Sequence, residues 1–361
     1  MRLVFLCGGS PHPEGKGLSY QWITTRAKGY QKKGHEVFIL APFTSDLPEH
    51  YRLEEINFYR LNPEKAFNFL KDLNPDRLLI HHFSPWTTES SYRFQGKKIF
   101  WIYGPEISSF FSYYEKPGKI THFFLRILES LQNRKLKSYF SSTSSFVCTS
   151  RYAAQLLFRV MPDLNPVIVR DPIEIPEADF RGKNSEDLVK GLAVEVLDHR
   201  FLIPSGIDLL IKSFSSASGA ALTLLGGGNA VSDLKKWIER ENSSIQLVVS
   251  EVSEKNLSDW FQSHHYFLTA SRMERFVFRA CLAMSYGVPV IAPDRWAFSE
   301  IIQNGRTGFV FNPDNPVSFL HGIQAMTKNY KIFGANSKKW IEENCKAERI
   351  IDQELSLIQK D

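Results

Sequence analysis

Three carboxylate side chains fall near the ends of predicted strands between residues 267 and 311. Glu274 lies in the turn after a short apolar strand, Asp294 follows the apolar run 288–292, and Glu300 stands at the start of a predicted helix. In an open α/β sheet, ligands bind outside the carboxyl ends of the strands. The spacing therefore predicts a ligand-binding edge. The alternative for Glu274 is a helix N-terminal carboxylate, which stabilises a helix by under about 1 kcal/mol.

The elements that must position these residues alternate between strand and helix. Residues 276–286 carry apolar side chains at helical spacing, and Gly287 with Pro289 marks the end of that helix. The β-branched run that follows suits a buried parallel strand. The chain also begins with a strand (2–7), a glycine loop, an amphipathic helix (18–33) and a second strand (36–41), which is a Rossmann-like opening.

Composition indicates two globular domains of ordinary size. The chain has 361 residues, of which 43% are hydrophobic and 23% charged. The short apolar start leads into a glycine loop, so we expect no signal peptide, and no apolar run is long enough to span a bilayer. The four cysteines have no metal or disulfide spacing, which favours a reducing cytoplasm. The net charge of +5 suits anionic ligands or a membrane surface.

The stretch from Ser271 to Gly308 resembles the donor-sugar site of the family 4 glycosyltransferases, which have the two-domain GT-B fold. The matching residues are Ser271, Glu274, Phe276, Ala283, Met284, Gly287, Pro289, Val290, Ile291, Glu300, Ile301, Ile302, Gly305, Thr307 and Gly308. Two positions depart from the pattern, because Val277 replaces the usual Gly and Leu282 replaces a second Glu. In the family that Glu typically holds the nucleotide ribose, so we expect ribose recognition here to be weaker or to involve another residue.

The resemblance implies an α/β protein of GT-B architecture, with two Rossmann-like domains facing each other across a cleft. Residues 1–175 would form the acceptor domain, with the C-terminal helix 340–361 packing back on it. Residues 176–339 would form the nucleotide-sugar donor domain. The expected co-substrate is a nucleotide-diphosphate sugar, with no cofactor and no metal ion. The expected reaction is sugar transfer with retention of configuration to a glycan, glycolipid or small-molecule acceptor.

The site residues follow from the same resemblance and from two arginines of this chain. We expect catalytic roles for Glu274 and His81, and donor binding by Arg200, Ser205, Gly226, Gly227, Gly228, Arg275, Phe276, Arg279 and Glu300. A loop containing Gly9, Gly15, Lys16 and Gly17 would lie near the phosphates or the acceptor. That loop is not a Walker phosphate loop, because Gly17 follows Lys16 where Ser or Thr is required. Its plain alternative is a flexible loop.

Each assignment has an alternative that involves no ligand. Arg200 could form a surface ion pair, and the glycines 226–228 could be a simple loop. His81, which matches an Asp-to-His spacing from Asp76, could be structural. Ser205 stands where relatives carry Lys and cannot replace its charge. Arg279 could supply the missing charge to a diphosphate, or could reach only solvent or a neighbouring carboxylate.

Three hypotheses on function remain open. The leading one is a bacterial, cytoplasmic glycosyltransferase of cell-surface glycan or glycolipid assembly, with no nucleic-acid partner. An aromatic and basic helix, 120–140, would then allow peripheral contact with the inner face of the membrane, although a core face with solvated charges is the simpler interpretation. The second hypothesis is a degenerate binding or scaffold protein, because Ser205 and Leu282 replace two donor-site residues. A sugar-nucleotide epimerase ranks third.

Overall fold

The structure is a computed structural model that describes residues 1–13, 21–45, 47–104, 134, 137–140, 145–177, 189–216, 220–250, 252, 254–272 and 277–360. The chain divides into two compact units. Unit 1 comprises Met1–Pro172 and Ala347–Asp361, and unit 2 comprises Ile173–Lys346. Each unit contains one sheet that is wholly or mostly parallel, and the fold is GT-B with two Rossmann-like units.

The sheet of unit 1 has eight strands in the spatial order β3-β4-β2-β1-β5-β6-β7-β8. They are β1 (Arg2–Cys7), β2 (Glu36–Pro42), β3 (His50–Leu53), β4 (Ile56–Leu61), β5 (Arg77–His81), β6 (Lys98–Ile102), β7 (Ser145–Cys148) and β8 (Val167–Ile168). Only the β3–β4 pair is antiparallel among these neighbours. The central strands are apolar and buried on both faces, as helices on both sides of a parallel sheet require.

The described helices of unit 1 are α1 (Gln21–Lys32), α2 (Pro63–Leu73), α3 (Pro85–Ser91), α4 (Arg151–Val160) and, last in the chain, α11 (Ala347–Lys360). Three of them, α2, α3 and α4, begin after residues that cap them. The side chain of Asn62 accepts a hydrogen bond from the Lys65 amide, and Ser150 accepts one from Ala153. Such caps satisfy amide groups that the first helical turn leaves unpaired.

The C-terminal helix α11 packs against α1 within unit 1. Gly29 allows this approach, because a Cβ at that position would lie 2.7 Å from a side-chain carbon of Ile351. Beside this contact, the guanidinium of Arg26 is fully buried and pairs with Glu354 at 2.8 Å and with Asp171 at 3.0 Å. The second Glu354 oxygen accepts a hydrogen bond of 2.8 Å from the Tyr30 hydroxyl.

The three charged groups of this cluster are buried together. Burial raises the pKa of both carboxyl groups, Asp171 and Glu354, while Arg26 acts to lower it. The pKa of Arg26 is raised by these carboxylates against the opposing effect of burial. A buried charge that loses its partner is costly. The cluster therefore holds α1, the chain exit at Asp171 and the C-terminal helix together.

The sheet of unit 2 has six parallel strands in the order β11-β10-β9-β12-β13-β14. They are β9 (Val189–Val196), β10 (Ala220–Gly227), β11 (Ile245–Val249), β12 (Tyr266–Leu268), β13 (Val290–Pro293) and β14 (Gly308–Phe311). The helices are α5 (Ile207–Phe214), α6 (Val231–Arg240), α7 (Glu254–Ser263), α8 (Val277–Ser285), α9 (Phe298–Ile301) and α10 (Pro316–Cys345). A 3-10 turn, His199–Phe201, follows β9.

The predicted C-terminal helix 340–361 differs from the structure at its start. The structure has a 30-residue helix, α10, that begins at Pro316, and a separate helix α11 after Lys346. The side chain of Asn315 accepts a hydrogen bond from Val317, and proline is favourable at the first helical position. The sequence therefore contained a helix start signal at Asn315 and Pro316, well before the predicted start.

Candidate functional site

The candidate site of unit 2 lies at the carboxyl edge of its parallel sheet. Strands β9, β10, β12 and β13 end there, so the segments that leave these strands share one edge. Arg200 and Ser205 follow β9, the glycines 226–228 end β10, and Glu300 belongs to α9 after β13. Arg279 reaches this edge from α8, where it hydrogen-bonds the β9 backbone.

The glycines at the end of β10 permit close packing against the exit of β9. A Cβ on Gly226 would lie 2.0 Å from the carbonyl oxygen of Glu195, and one on Gly228 would lie 2.4 Å from the carbonyl carbon of Leu197. A Cβ on Gly227 would meet nothing closer than 4.0 Å. Close packing alone therefore explains why Gly226 and Gly228 are glycines, whereas Gly227 has open space where a side chain would be.

The guanidinium of Arg200 is exposed. Its side chain is 78% accessible and its one ion-pair partner in the described chain, Asp198, is 3.8 Å away. The guanidinium lies over the ring of Phe201, with 5.0 Å between its central carbon and the ring centroid. An exposed pair of this kind is weak, so Arg200 can turn to an anionic ligand at small cost.

The hydroxyl of Ser205 is used within the protein. Ser205 is buried, and its Oγ donates a hydrogen bond of 2.6 Å to the carbonyl of Phe201. The next residue, Gly206, has φ of +74°, and a Cβ there would lie 2.1 Å from the carbonyl oxygen of Ala270. Ser205 therefore stabilises the loop after β9 from within, and Gly206 allows that loop to pack against the segment that leaves β12.

A bidentate ion pair strengthens the same connection. The Arg272 guanidinium donates to both carboxylate oxygens of Asp208 in α5, at 2.7 and 3.0 Å. The Arg272 backbone amide also donates to the carbonyl of Pro204 at 2.8 Å. Both side chains are about four-fifths buried. These contacts anchor the last described residue before the position of Glu274, and the sequence patterns did not mark them.

Arg279 approaches the end of the central strand β9. Its Nη1 donates a hydrogen bond of 2.7 Å to the carbonyl of Val194. The following residue, Glu195, is buried, and burial raises the pKa of its carboxyl group to about 8 although Arg279 acts to lower it. The sequence predicted the position of Arg279 at this edge but missed Glu195, because a single Glu within an apolar strand matches no motif.

The turn after β13 contains a second residue that the sequence missed. Trp296 has φ of +60°, in the left-handed region that non-glycine residues seldom adopt. Asp294 accepts a hydrogen bond of 2.5 Å from the Ser299 hydroxyl, and Glu300 is half-buried. Strained backbone of this kind often occurs at functional sites, and no sequence pattern predicts a tryptophan there.

In unit 1, His81 is the last residue of β5 and is completely buried. Its Nδ1 is 2.9 Å from the Tyr103 hydroxyl, and its ring stacks on Phe5 and Trp101. Burial lowers the pKa of His81 well below its usual value, and Arg26 lowers it further. The imidazole is therefore neutral at pH 7. The next residue, His82, is half-exposed and has φ of +64°.

Several predicted site residues lie outside the described part of the chain. They are Glu274, Arg275, Phe276, Gly15, Lys16 and Gly17, together with most of the predicted helix 120–140. Gly9 is described and lies in the bend that follows β1, after Gly8, at the carboxyl edge of the unit 1 sheet.

The described residues show neither a metal-binding cluster nor a membrane span. Within the described ranges, no three His, Cys, Asp or Glu side chains are grouped closely enough to hold a metal ion. None of the helices that the structure describes has both the length and the apolar character needed to cross a bilayer. All four cysteines are buried, and none forms a disulfide bond in the described residues.

Comparison with known protein families gives a match to unit 2. Residues 189–346 match the family "Glycosyl transferases group 1". The match covers less than half of the chain, and unit 2 is similar to a glycosyltransferase domain of that group. The matched range contains every described candidate residue of unit 2, from Glu195 to Glu300.

Curated relatives match this chain over limited lengths. A 41.2 kDa protein in the cps region of Klebsiella pneumoniae is 34% identical over 113 residues, which is 31% of each chain. The glycosyltransferase MJ1178 of Methanocaldococcus jannaschii is 24% identical over 61% of this chain and 62% of its own length. The lipopolysaccharide core biosynthesis mannosyltransferase LpsB of Rhizobium meliloti is 37% identical over 17% of this chain and 18% of its own. The chain thus spans less than two thirds of each.

Solved structures with the same fold cover nearly the whole chain. Sucrose-phosphate synthase from Thermosynechococcus elongatus has a TM-score of 0.80 at 14% identity, covering 99% of this chain and 98% of its own. Anabaena Alr3699/HepE, solved with UDP and glucose, has a TM-score of 0.75 at 12% identity and full coverage of both chains. At such identities the likeness establishes the fold.

Proposed function

We propose that this protein transfers a sugar from a nucleotide-diphosphate donor to a glycan, glycolipid or small-molecule acceptor. The observation that carries the proposal is that the match to the group 1 family lies in unit 2. The carboxyl edge of the sheet in that unit brings together Arg200, Arg279 and Gly227, which has open space beside it at the end of β10. Retention of configuration and independence of metal ions belong to the proposal, and the family 4 resemblance supports them.

The proposed chemistry depends on stabilising a negatively charged leaving group. Cleavage of the donor releases a nucleoside diphosphate, and fixed positive charge at the sheet edge lowers the free energy of that transition state. Arg200 is exposed and weakly paired, so it can hold a phosphate bidentately. Glu274 would contact sugar hydroxyls at the same edge. His81 is neutral, so it would act as a hydrogen-bonding group and not as a charged acid.

The acceptor and the cellular setting are inferred more indirectly. A relative is named as a mannosyltransferase of lipopolysaccharide core biosynthesis, which supports a glycan or lipid-linked acceptor in bacterial cell-surface assembly. We place the reaction in the cytoplasm, with the enzyme at the inner face of the membrane when the acceptor is lipid-linked. The helix suggested for membrane contact lies mostly outside the described residues.

A non-catalytic binding protein is the second candidate. Ser205 uses its hydroxyl inside the protein, and Leu282 is a buried apolar side chain where relatives carry a carboxylate. Both observations remove polar groups from the donor site. A protein of this kind could bind a nucleotide sugar without turning it over.

The experiment that tests the proposal is a thermal-shift panel of nucleotide-diphosphate sugars. The proposal predicts that at least one sugar nucleotide raises the melting temperature, and that Arg200→Ala reduces this shift. Arg240→Ala is the matched control, because Arg240 is similarly exposed but ends α6, which runs away from the carboxyl edge. A panel in which no nucleotide changes the melting temperature would contradict the proposal.

A further inference from the structure

Trp296 has a backbone conformation that its own side chain makes costly. Its φ of +60° lies in the left-handed region, where a bulky non-glycine residue is an outlier. A glycine would adopt the same conformation without this strain. The other non-glycine residues of the described chain with positive φ are Glu54, Glu55, Asn74, His82 and Asn242.

Local structure accounts for these other residues. The two glutamates form the two-residue loop between β3 and β4, a hairpin turn that needs positive φ at both positions. The two asparagines lie at the C-terminal ends of α2 and α6, where positive φ is common. Histidine adopts this conformation more readily than most residues, and the ring of His82 stacks on that of Tyr103 at 4.3 Å. Trp296 lies between a strand and the start of a helix, where none of these reasons applies.

Contacts on both sides of Trp296 hold the turn in place. The backbone amide of Asp294 donates a hydrogen bond of 2.7 Å to the carbonyl of Phe311, the last residue of β14. On the other side, Ala297 and Phe298 are buried in the core. Trp296 itself is half-buried, so part of it stays accessible at the carboxyl edge of the sheet. Strained residues that their surroundings hold in this way cluster at ligand-binding sites.

The strand order places Trp296 beyond Arg200 along the same edge. Arg200 follows β9 and Trp296 follows β13, with β12 between these two strands. Neighbouring strands are about 4.8 Å apart, so two steps correspond to about 10 Å along the edge. A sugar attached to the second phosphate of a nucleoside diphosphate extends from the phosphates over a distance of this order. With the phosphates on Arg200, the sugar can therefore reach the turn that contains Trp296.

We propose that Trp296 is a specificity-determining residue whose indole packs against the sugar ring of the bound sugar nucleotide. The faces of a sugar ring carry C–H groups, and an aromatic ring offers them a flat apolar surface. Small-molecule sites commonly combine such aromatic surfaces with a few polar groups that fix orientation. The inference rests on the proposed function and adds to it a residue that distinguishes a sugar nucleotide from the nucleoside diphosphate alone.

The test is isothermal calorimetry of the wild-type protein and its variants with two probes. The probes are the sugar nucleotide that raises the melting temperature most in the thermal-shift panel, and the nucleoside diphosphate that it contains. Trp296→Gly should bind the sugar nucleotide about tenfold more weakly and the nucleoside diphosphate with unchanged affinity. Trp296→Phe keeps an aromatic ring and should retain most of the affinity. The matched control is Trp237→Ala, which removes a half-buried tryptophan of α6 and should bind both probes as the wild-type protein does.

The melting temperature separates a binding role from a structural one. Glycine relieves the strained backbone, which offsets the lost packing, so Trp296→Gly should unfold close to the wild-type temperature. Trp296→Asn also removes the ring and tolerates positive φ, so it should bind as Trp296→Gly does. A large fall in the melting temperature of both variants, with unchanged affinity for the sugar nucleotide, would assign the indole to packing.

Two further results would overturn the inference while leaving the proposed function intact. Unchanged affinity of Trp296→Gly for the sugar nucleotide would remove the contact, and equal weakening of both probes would place the indole against the nucleoside or the phosphates instead. If no sugar nucleotide of the panel binds the wild-type protein, the proposed function and this inference fail together.

Discussion

Removing the Glu354 carboxylate should destabilise unit 1 much more than removing a neighbouring carboxylate of the same helix. In Glu354→Ala, the fully buried guanidinium of Arg26 loses a partner at 2.8 Å, and the Tyr30 hydroxyl loses its acceptor. Breaking a buried ion pair from one side costs about 3–5 kcal/mol. Asp171 still faces Arg26 at 3.0 Å, so we expect a loss of about 3 kcal/mol, at the lower end of that range.

The matched control is Asp352→Ala on the same helix. Asp352 pairs at 2.7 Å with Lys33, which follows the last residue of α1, but both side chains are about half exposed. Exposed pairs contribute little, so this variant should unfold with nearly the wild-type urea midpoint. The assay is urea unfolding together with hydrogen exchange of the α11 amides, which reports the C-terminal helix directly. Equal destabilisation by the two substitutions would refute the reasoning, because burial would then not decide the cost.

Three further predictions concern unit 2. Burial raises the pKa of the Glu195 carboxyl group to about 8 in the folded protein, against an ordinary value of 4.5, so the folded state binds the extra proton. The free energy of unfolding should therefore fall between about pH 4.5 and 8 by up to about 5 kcal/mol. Urea titrations of Glu195→Gln should show no such fall, and a variant with the same pH profile as the wild-type protein would contradict the prediction. Gly206→Ala should cost more than Gly305→Ala in thermal unfolding: both have φ near +74°, but only Gly206 would place a Cβ 2.1 Å from the Ala270 oxygen. Since Leu282 cannot accept a hydrogen bond, ribo- and 2′-deoxyribonucleotide donors should bind almost equally in calorimetry, and a large loss for the deoxy form would assign ribose recognition to another residue.

The α/β architecture could be predicted from the sequence because it depends on local signals that repeat. Apolar runs such as β1 and β13 alternate with helices that end at glycine or proline, and this order specifies parallel sheets. The edge strand β3 was missed because it has only four residues and most of them are polar. It forms by pairing with β4, which the sequence of β3 alone does not reveal. The long helix α10 was missed because its apolar residues do not form one clear face along 30 residues.

The candidate site was predicted where it matches a family pattern, as at Arg200, and where a charge departs from that pattern, as at Arg279. Arg200 and Arg279 stood out as charges at expected positions, and the structure places both at the sheet edge. Glu195 and Trp296 could not be predicted, because their importance comes from burial and from a left-handed backbone that only tertiary packing imposes. The inward bonding of the Ser205 hydroxyl is likewise a property of the folded loop.

The most direct test of the central claim is a turnover assay with purified protein, sugar nucleotides and a glycan or lipid-linked acceptor mixture. Release of nucleoside diphosphate and the label in the acceptor are measured together. The proposed function predicts acceptor-dependent release by the wild-type protein, and none by a folded Glu274→Ala variant with an unchanged melting temperature. Equal release by both proteins would show that Glu274 has no catalytic role. Binding of sugar nucleotides without release or transfer by the wild-type protein would contradict the enzyme and favour the binding protein.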